Sequence, residues 1–98
     1  MTPNRKLTHV IKERTVKETA QTGGLLTITF TDGSTMKIKT SVGVGRVDSR
    51  GREVKDVRQN DESLHLDFTD GSTLEVPLAE ATSSVMLRDA QNVLEYAD

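Results

Sequence analysis

Residues 14–40 read RTVKETAQTGGLLTITFTDGSTMKIKT, and residues 52–78 read REVKDVRQNDESLHLDFTDGSTLEVPL. The two stretches align without a gap at an offset of 38, with 11 of 27 positions identical. The identities are Arg14/Arg52, Val16/Val54, Lys17/Lys55, Gln21/Gln59, Leu26/Leu64, Phe30/Phe68, and the run Thr31–Thr35 with Thr69–Thr73. Ile28/Leu66, Met36/Leu74 and Ile38/Val76 keep their apolar character. A five-residue identity inside a gapless match of this length is poorly explained by chance, so an internal repeat organises the chain.

Each copy has the period of a half-buried strand. Leu26, Ile28 and Phe30 alternate with Thr27 and Thr29, and Leu64, Leu66 and Phe68 alternate with His65 and Asp67. Met36 and Ile38, then Leu74 and Val76, supply the partner strands. Asp-Gly between such runs is a strong hairpin signal. Register refines it. A strict two-residue loop at Asp32-Gly33 pairs Phe30 with Thr35, and the apolar faces disagree. A three-residue loop over Thr31–Gly33 sets Ile28 opposite Met36 and Leu26 opposite Ile38. Gly33 then takes the left-handed position of a bulged turn, and Gly71 does the same.

Outward from the hairpins the signals weaken. Residues 8–21 alone resemble a polar helix. Arg52–Arg58, however, follows the turn-like Asp48–Gly51 and precedes Asn60-Asp61, so the repeat assigns a strand to both Arg52–Arg58 and Arg14–Ala20. VGVGRV (42–47) reads as a short glycine-bearing strand. Residues 83–97 fit either a short helix, with Met86, Ala90, Val93, Leu94 and Ala97 at helical spacing, or a hairpin of Val85–Arg88 with Val93–Tyr96. The parallel between Asp48–Gly51 and Asp89–Asn92 favours the hairpin. Residues 1–8 read as a flexible tail.

The expected fold is therefore all-β. Residues 1–98 form a single domain of two pseudo-symmetric antiparallel repeats, 14–51 and 52–98, arranged as a small barrel or compact sandwich that hides strand edges. Neither repeat alone reaches the size at which a chain folds independently. Pro77, which lacks an N–H, belongs at a sheet edge or strand end.

Composition narrows the function. The chain carries 13 basic and 15 acidic residues, a net charge of −2, and no cysteine. That excludes disulfides, Cys-ligated zinc and a thiol nucleophile. No apolar run approaches a membrane span. The N-terminal residues lack the apolar core of a secretory signal, so a soluble cytoplasmic protein is expected. Charge is polarised: residues 1–58 hold 12 of the 13 bases against six acids, and residues 59–98 hold Arg88 against nine acids. The two halves should attract each other within one chain, which predicts a monomer.

Catalytic constellations do not emerge. His9 lies in a polar stretch and His65 at an outward strand position, without the spacing of a metal site. Asp32 and Asp70 are accounted for by turn chemistry, and Asp61-Glu62 has no partner motif. The sequence contains no GxSxG elbow, and Gly43 and Gly45 form a GxG without the rest of a phosphate loop. No enzyme activity, cofactor or metal is expected. The basic residues Lys37, Lys39, Arg46, Arg50, Arg52, Lys55 and Arg58 form the candidate partner surface. The sequence thus reads as a non-catalytic β-module binding another macromolecule, first a protein. The alternative is a nucleic-acid-binding barrel using the basic first repeat. Against that alternative, the chain has three aromatics, and Phe30 and Phe68 are assigned to the core.

Overall fold

The computed structural model describes residues 2–41, 50–81 and 83–98, and in it the two Asp-Gly turns set the registers. Asp32 accepts hydrogen bonds from the amide and hydroxyl of Ser34, and Asp70 accepts the same pair from Ser72. Gly33 (φ +90°) and Gly71 (φ +88°) adopt the expected left-handed backbone. Ile28 consequently pairs with Met36 and Leu26 with Ile38, while Leu66 pairs with Leu74 and Leu64 with Val76.

The elements in chain order are β1 (Thr2–Pro3), α1 (Arg5–Ile11), β2 (Val16–Thr22), β3 (Leu25–Phe30), β4 (Thr35–Lys39), β5 (Val54–Gln59), β6 (Ser63–Phe68), β7 (Thr73–Pro77), β8 (Val85–Arg88) and β9 (Leu94–Ala97). They form two antiparallel sheets. The larger has the order β2-β3-β4-β8-β9 and the smaller β1-β5-β6-β7. The meander β2-β3-β4 and the meander β5-β6-β7 have matching pairings at the 38-residue offset, including a bulge between Val16 and Glu18 and another between Val54 and Asp56.

Two isolated antiparallel bridges join the sheets, Thr15 with Glu53 and Thr40 with Leu78. Each couples a residue to its own counterpart, which is the relation a local twofold produces. Hydrogen bonds repeat the pattern: Ser41 N–H donates to Pro77 O, and Ala79 N–H to Lys39 O. Because these junctions are confined to strand ends and no ladder runs along whole strands of the two sheets, they pack as a compact sandwich and do not close into a barrel. Phe30, Phe68, Leu26, Ile28, Met36, Ile38, Leu64, Leu66 and Val76 fill the space between them, and Leu74 is partly buried at its margin. Pro77 ends β7 at the edge of the smaller sheet, as expected.

The C-terminal segment is the hairpin β8–β9. Val85, Leu87 and Tyr96 point inward, and Asp89 closes the turn by accepting from the amides of Gln91 and Val93. The expected tail at residues 1–8 is corrected. Thr2-Pro3 pairs with Arg58-Gln59, and Asn4 caps α1 by accepting from Leu7 N–H at 3.0 Å. Leu7 and Ile11, four residues apart, then bury one helical face completely. The strand expected at 42–47 lies outside the described residues.

Candidate binding surface

Alternation fixes which side chains leave the core. In β3, Leu26 and Ile28 point inward, so Leu25 and Thr27 point outward; in β4, Met36 and Ile38 point inward, so Lys37 and Lys39 are exposed. Cross-strand pairing then builds rows on the outer face of the larger sheet. One row runs Thr27, Lys37, Met86, Ala97 across β3, β4, β8 and β9. The neighbouring rows hold Leu25 beside Lys39, and Thr35 beside Arg88 beside Leu94.

This face carries apolar groups in the open. Met86 is 41% exposed and Leu94 49%, and Val93 beside it is 58% exposed. A cleft of about 540 Å³ is lined by Leu25, Lys37, Lys39, Met86 and Ala97. A second depression, of about 520 Å³, shares Lys37 and Met86 and extends to Thr35, Arg88, Asp89 and Asn92. Among the described residues no carboxylate pairs with the ammonium of Lys37 or Lys39. Arg88 donates to the carbonyl of Asn92 at 3.1 Å. The nearest acid lining the cleft is Asp98, whose backbone pairs with Val85.

The other basic residues singled out in the sequence do not join this patch. Arg50 is exposed in the turn before β5, and Lys55 sits in the β5 bulge. Arg52 faces Asp70 at 3.5 Å, and Arg58 forks onto Asp67 at 2.7 and 2.8 Å. Its hydrogen bonds, with one from Thr73, outweigh burial and hold the Asp67 carboxyl below its ordinary range. Arg46 lies outside the described residues. The six described positions are therefore dispersed, and two of the arginines are already neutralised. The polarised charge does meet within the chain: Arg14 forks onto Glu95 at 2.7 and 3.0 Å, joining the first meander to β9.

His65 is less exposed than an outward strand residue suggests, because Ser63 and Glu75 flank it. Ser63 Oγ lies 3.3 Å and Glu75 Oε1 3.6 Å from the same ring nitrogen, Nε2. A nucleophile–base–acid relay requires the hydroxyl and the carboxylate on opposite nitrogens. Here both compete for one, so the cluster cannot orient a general base toward Ser63. Met86, Leu25 and Ala97 were the surface residues that sequence reasoning missed. The signal for Leu25 was present, since the neighbour of an inward Leu26 must face out.

No protein-family model matches the chain, and neither a curated protein nor a solved structure matches it significantly. No helix among the described residues is long and apolar enough to cross a membrane.

Proposed function

We propose that this protein is a non-catalytic, cytoplasmic, monomeric β-module that binds another protein through the outer face of β3, β4, β8 and β9. One observation carries the reading: exposed Met86 stands beside Lys37 in the cleft that Lys39 also lines, exposed Leu94 stands beside Arg88 on the same face, and the charges of both lysines have no partner among the described residues. Exposed apolar groups rimmed by unpaired charge are the composition of a docking face and a poor design for bare solvent. The dispersal of Arg50, Arg52, Lys55 and Arg58 supports a protein partner over a nucleic acid, which needs a continuous track of positive charge.

Site-specific photo-crosslinking tests this. A photoreactive phenylalanine analogue at Met86 should give protein adducts in native-host lysate that survive nuclease, whereas the same group at Lys55 should give none. Adducts that vanish on nuclease treatment, equal labelling at both positions, or no adduct at Met86 would each overturn the proposal.

A further inference from the structure

The chemistry of this face also specifies what sits on it. Resting on the docking reading above, we infer that the occupant is an extended acidic segment, with carboxylates at alternate positions followed by a bulky apolar side chain. Lys39 and Lys37 are two residues apart on β4, and a further step of two brings Thr35 with Arg88 directly opposite. Same-face residues of a strand are spaced by about 6.6–6.8 Å. Two unpaired cations therefore stand one two-residue step apart on β4, and at the next step Arg88, one strand over, is engaged by the carbonyl of Asn92.

An extended segment repeats that spacing without bending, so carboxylates at its positions i and i+2 reach Lys39 and Lys37 together. A helix does not hold such a match. Its i, i+4 and i+8 positions rotate by about 40° at each step and leave a flat face. The next facing side chain of the extended segment falls over the depression lined by Thr35, Lys37, Met86, Arg88, Asp89 and Asn92, with exposed Leu94 paired to Arg88 at its side. Asp89 there opposes a third carboxylate, whereas an apolar side chain covers the exposed surface of Met86 and Leu94. Asp98 belongs to the far side of the cleft, on the β9 side of Val85 and two strand spacings from β4, about 9–10 Å. It leaves the charge beside β4 positive. A partner with this pattern offsets the two unpaired ammonium groups and covers the apolar surface at once, which an oligonucleotide backbone does only for the charge.

The probe is a capped peptide, Glu-Ser-Glu-Ser-Phe, titrated into the ¹⁵N-labelled full chain by NMR. Amide shifts should move together at Lys37, Lys39, Met86 and Ala97, with none at Lys55, Arg58 or Glu75. The Lys37→Glu/Lys39→Glu double variant should bind it about tenfold or more weakly and should instead take up Lys-Ser-Lys-Ser-Phe. The inference falls if the two peptides perturb the native protein alike, or if oligothymidylate binds this face more tightly. It also falls if the same amides shift with protein concentration alone, which would make a second copy the occupant. If crosslinking at Met86 captures protein while the acidic peptide leaves the spectrum unchanged, the occupant is wrong and the docking face stands. If both experiments fail, both readings fall.

Discussion

Gly33 and Gly71 occupy the same position of the same TDGST turn, with φ of +90° and +88°, yet they should not tolerate alanine equally. Placing an L side chain at positive φ costs roughly 1–2 kcal/mol at either site. A Cβ on Gly71 meets nothing within 4 Å, so Gly71→Ala should lose only that amount. A Cβ on Gly33 lands 2.9 Å from the Cβ of Ala90, well inside the ~3.5–4.0 Å of ordinary carbon contact. Ala90 lies in the β8–β9 turn, so the clash pushes that hairpin away from the first meander. Overpacking of this kind adds about 1–3 kcal/mol, bringing Gly33→Ala to about 2–5 kcal/mol. Urea denaturation followed by circular dichroism measures both variants. Ala90→Gly in the Gly33→Ala background should return most of the excess and leave the Gly71→Ala cost unchanged. Equal costs at the two glycines, within about 0.5 kcal/mol, would refute the packing of Ala90 on Gly33, as would failure of the rescue.

Three further outcomes are expected. Ile11→Ala should cost about 2–5 kcal/mol in the same assay, because Ile11 is fully buried on α1; a tail would tolerate it. Arg14→Ala should cost about 1–2 kcal/mol by removing the fork onto Glu95, and Arg14→Lys should recover less than half, since an ammonium cannot make both bonds. Arg52→Ala, whose ion pair is longer and more exposed, should lose less. On acidification, thermal stability should hold from pH 8 to about 5 and fall below about 4. Asp67 is held below its ordinary range chiefly by Arg58, and Asp70 chiefly by the Ser72 hydroxyl. Burial raises Asp32, but Ser34 and Arg14 overcome it and leave that carboxyl low as well. Each group binds a proton more readily unfolded than folded, so its contribution is present above the unfolded value and disappears as pH drops through the folded one. Asp67→Asn should flatten part of that decline in a pH series of melting curves.

How far the sequence carried the fold depends on the range of the interaction. The hairpins were legible because Asp-Gly chemistry and period-two alternation are local, and register followed from matching Ile28 to Met36. The β8–β9 hairpin was recoverable through Asp89–Asn92 even though Met86, Ala90, Val93 and Leu94 also fit a helix. Residues 1–8 were misread for a physical reason. With seven residues, α1 shows only two buried positions, Leu7 and Ile11, and that is too few to display a period. Its anchor, Asn4 reaching Gln59 and Tyr96, spans 55 and 92 residues of chain and has no local signature. The candidate surface was half legible. Lys37 and Lys39 were placed outward by alternation, but the sequence could not seat Met86 beside Lys37, because β4 pairs with a strand almost 50 residues later. Arg52 and Arg58 were counted as available charge, and only folding set them against Asp70 and Asp67.

The two meanders share their registers, yet only one of them is extended by two further strands that carry exposed apolar groups, and a single residue shows why. The edge of β4 that points away from β3 recruits β8, and Lys39 N–H donates to Ser84 O at 2.7 Å at the start of that ladder. The counterpart of Lys39 is Pro77, which has no N–H to give. The same ladder therefore cannot begin in the same way on β7. The counterpart of Lys37 is Glu75, which faces His65 at 3.6 Å. Substituting Lys37 and Lys39 by Glu75 and Pro77 thus changes both the hydrogen-bonding edge and the charge. On β4 the edge gains two strands, and with them exposed Met86 beside Lys37 and exposed Leu94 beside Arg88. On β7 the outer face is polar: Arg58 and Thr73 bind Asp67, and Glu75 brings an acidic group near His65 where β4 carries a lysine. A partner selecting for unpaired positive charge over apolar surface would find it on the larger sheet and not on the smaller one.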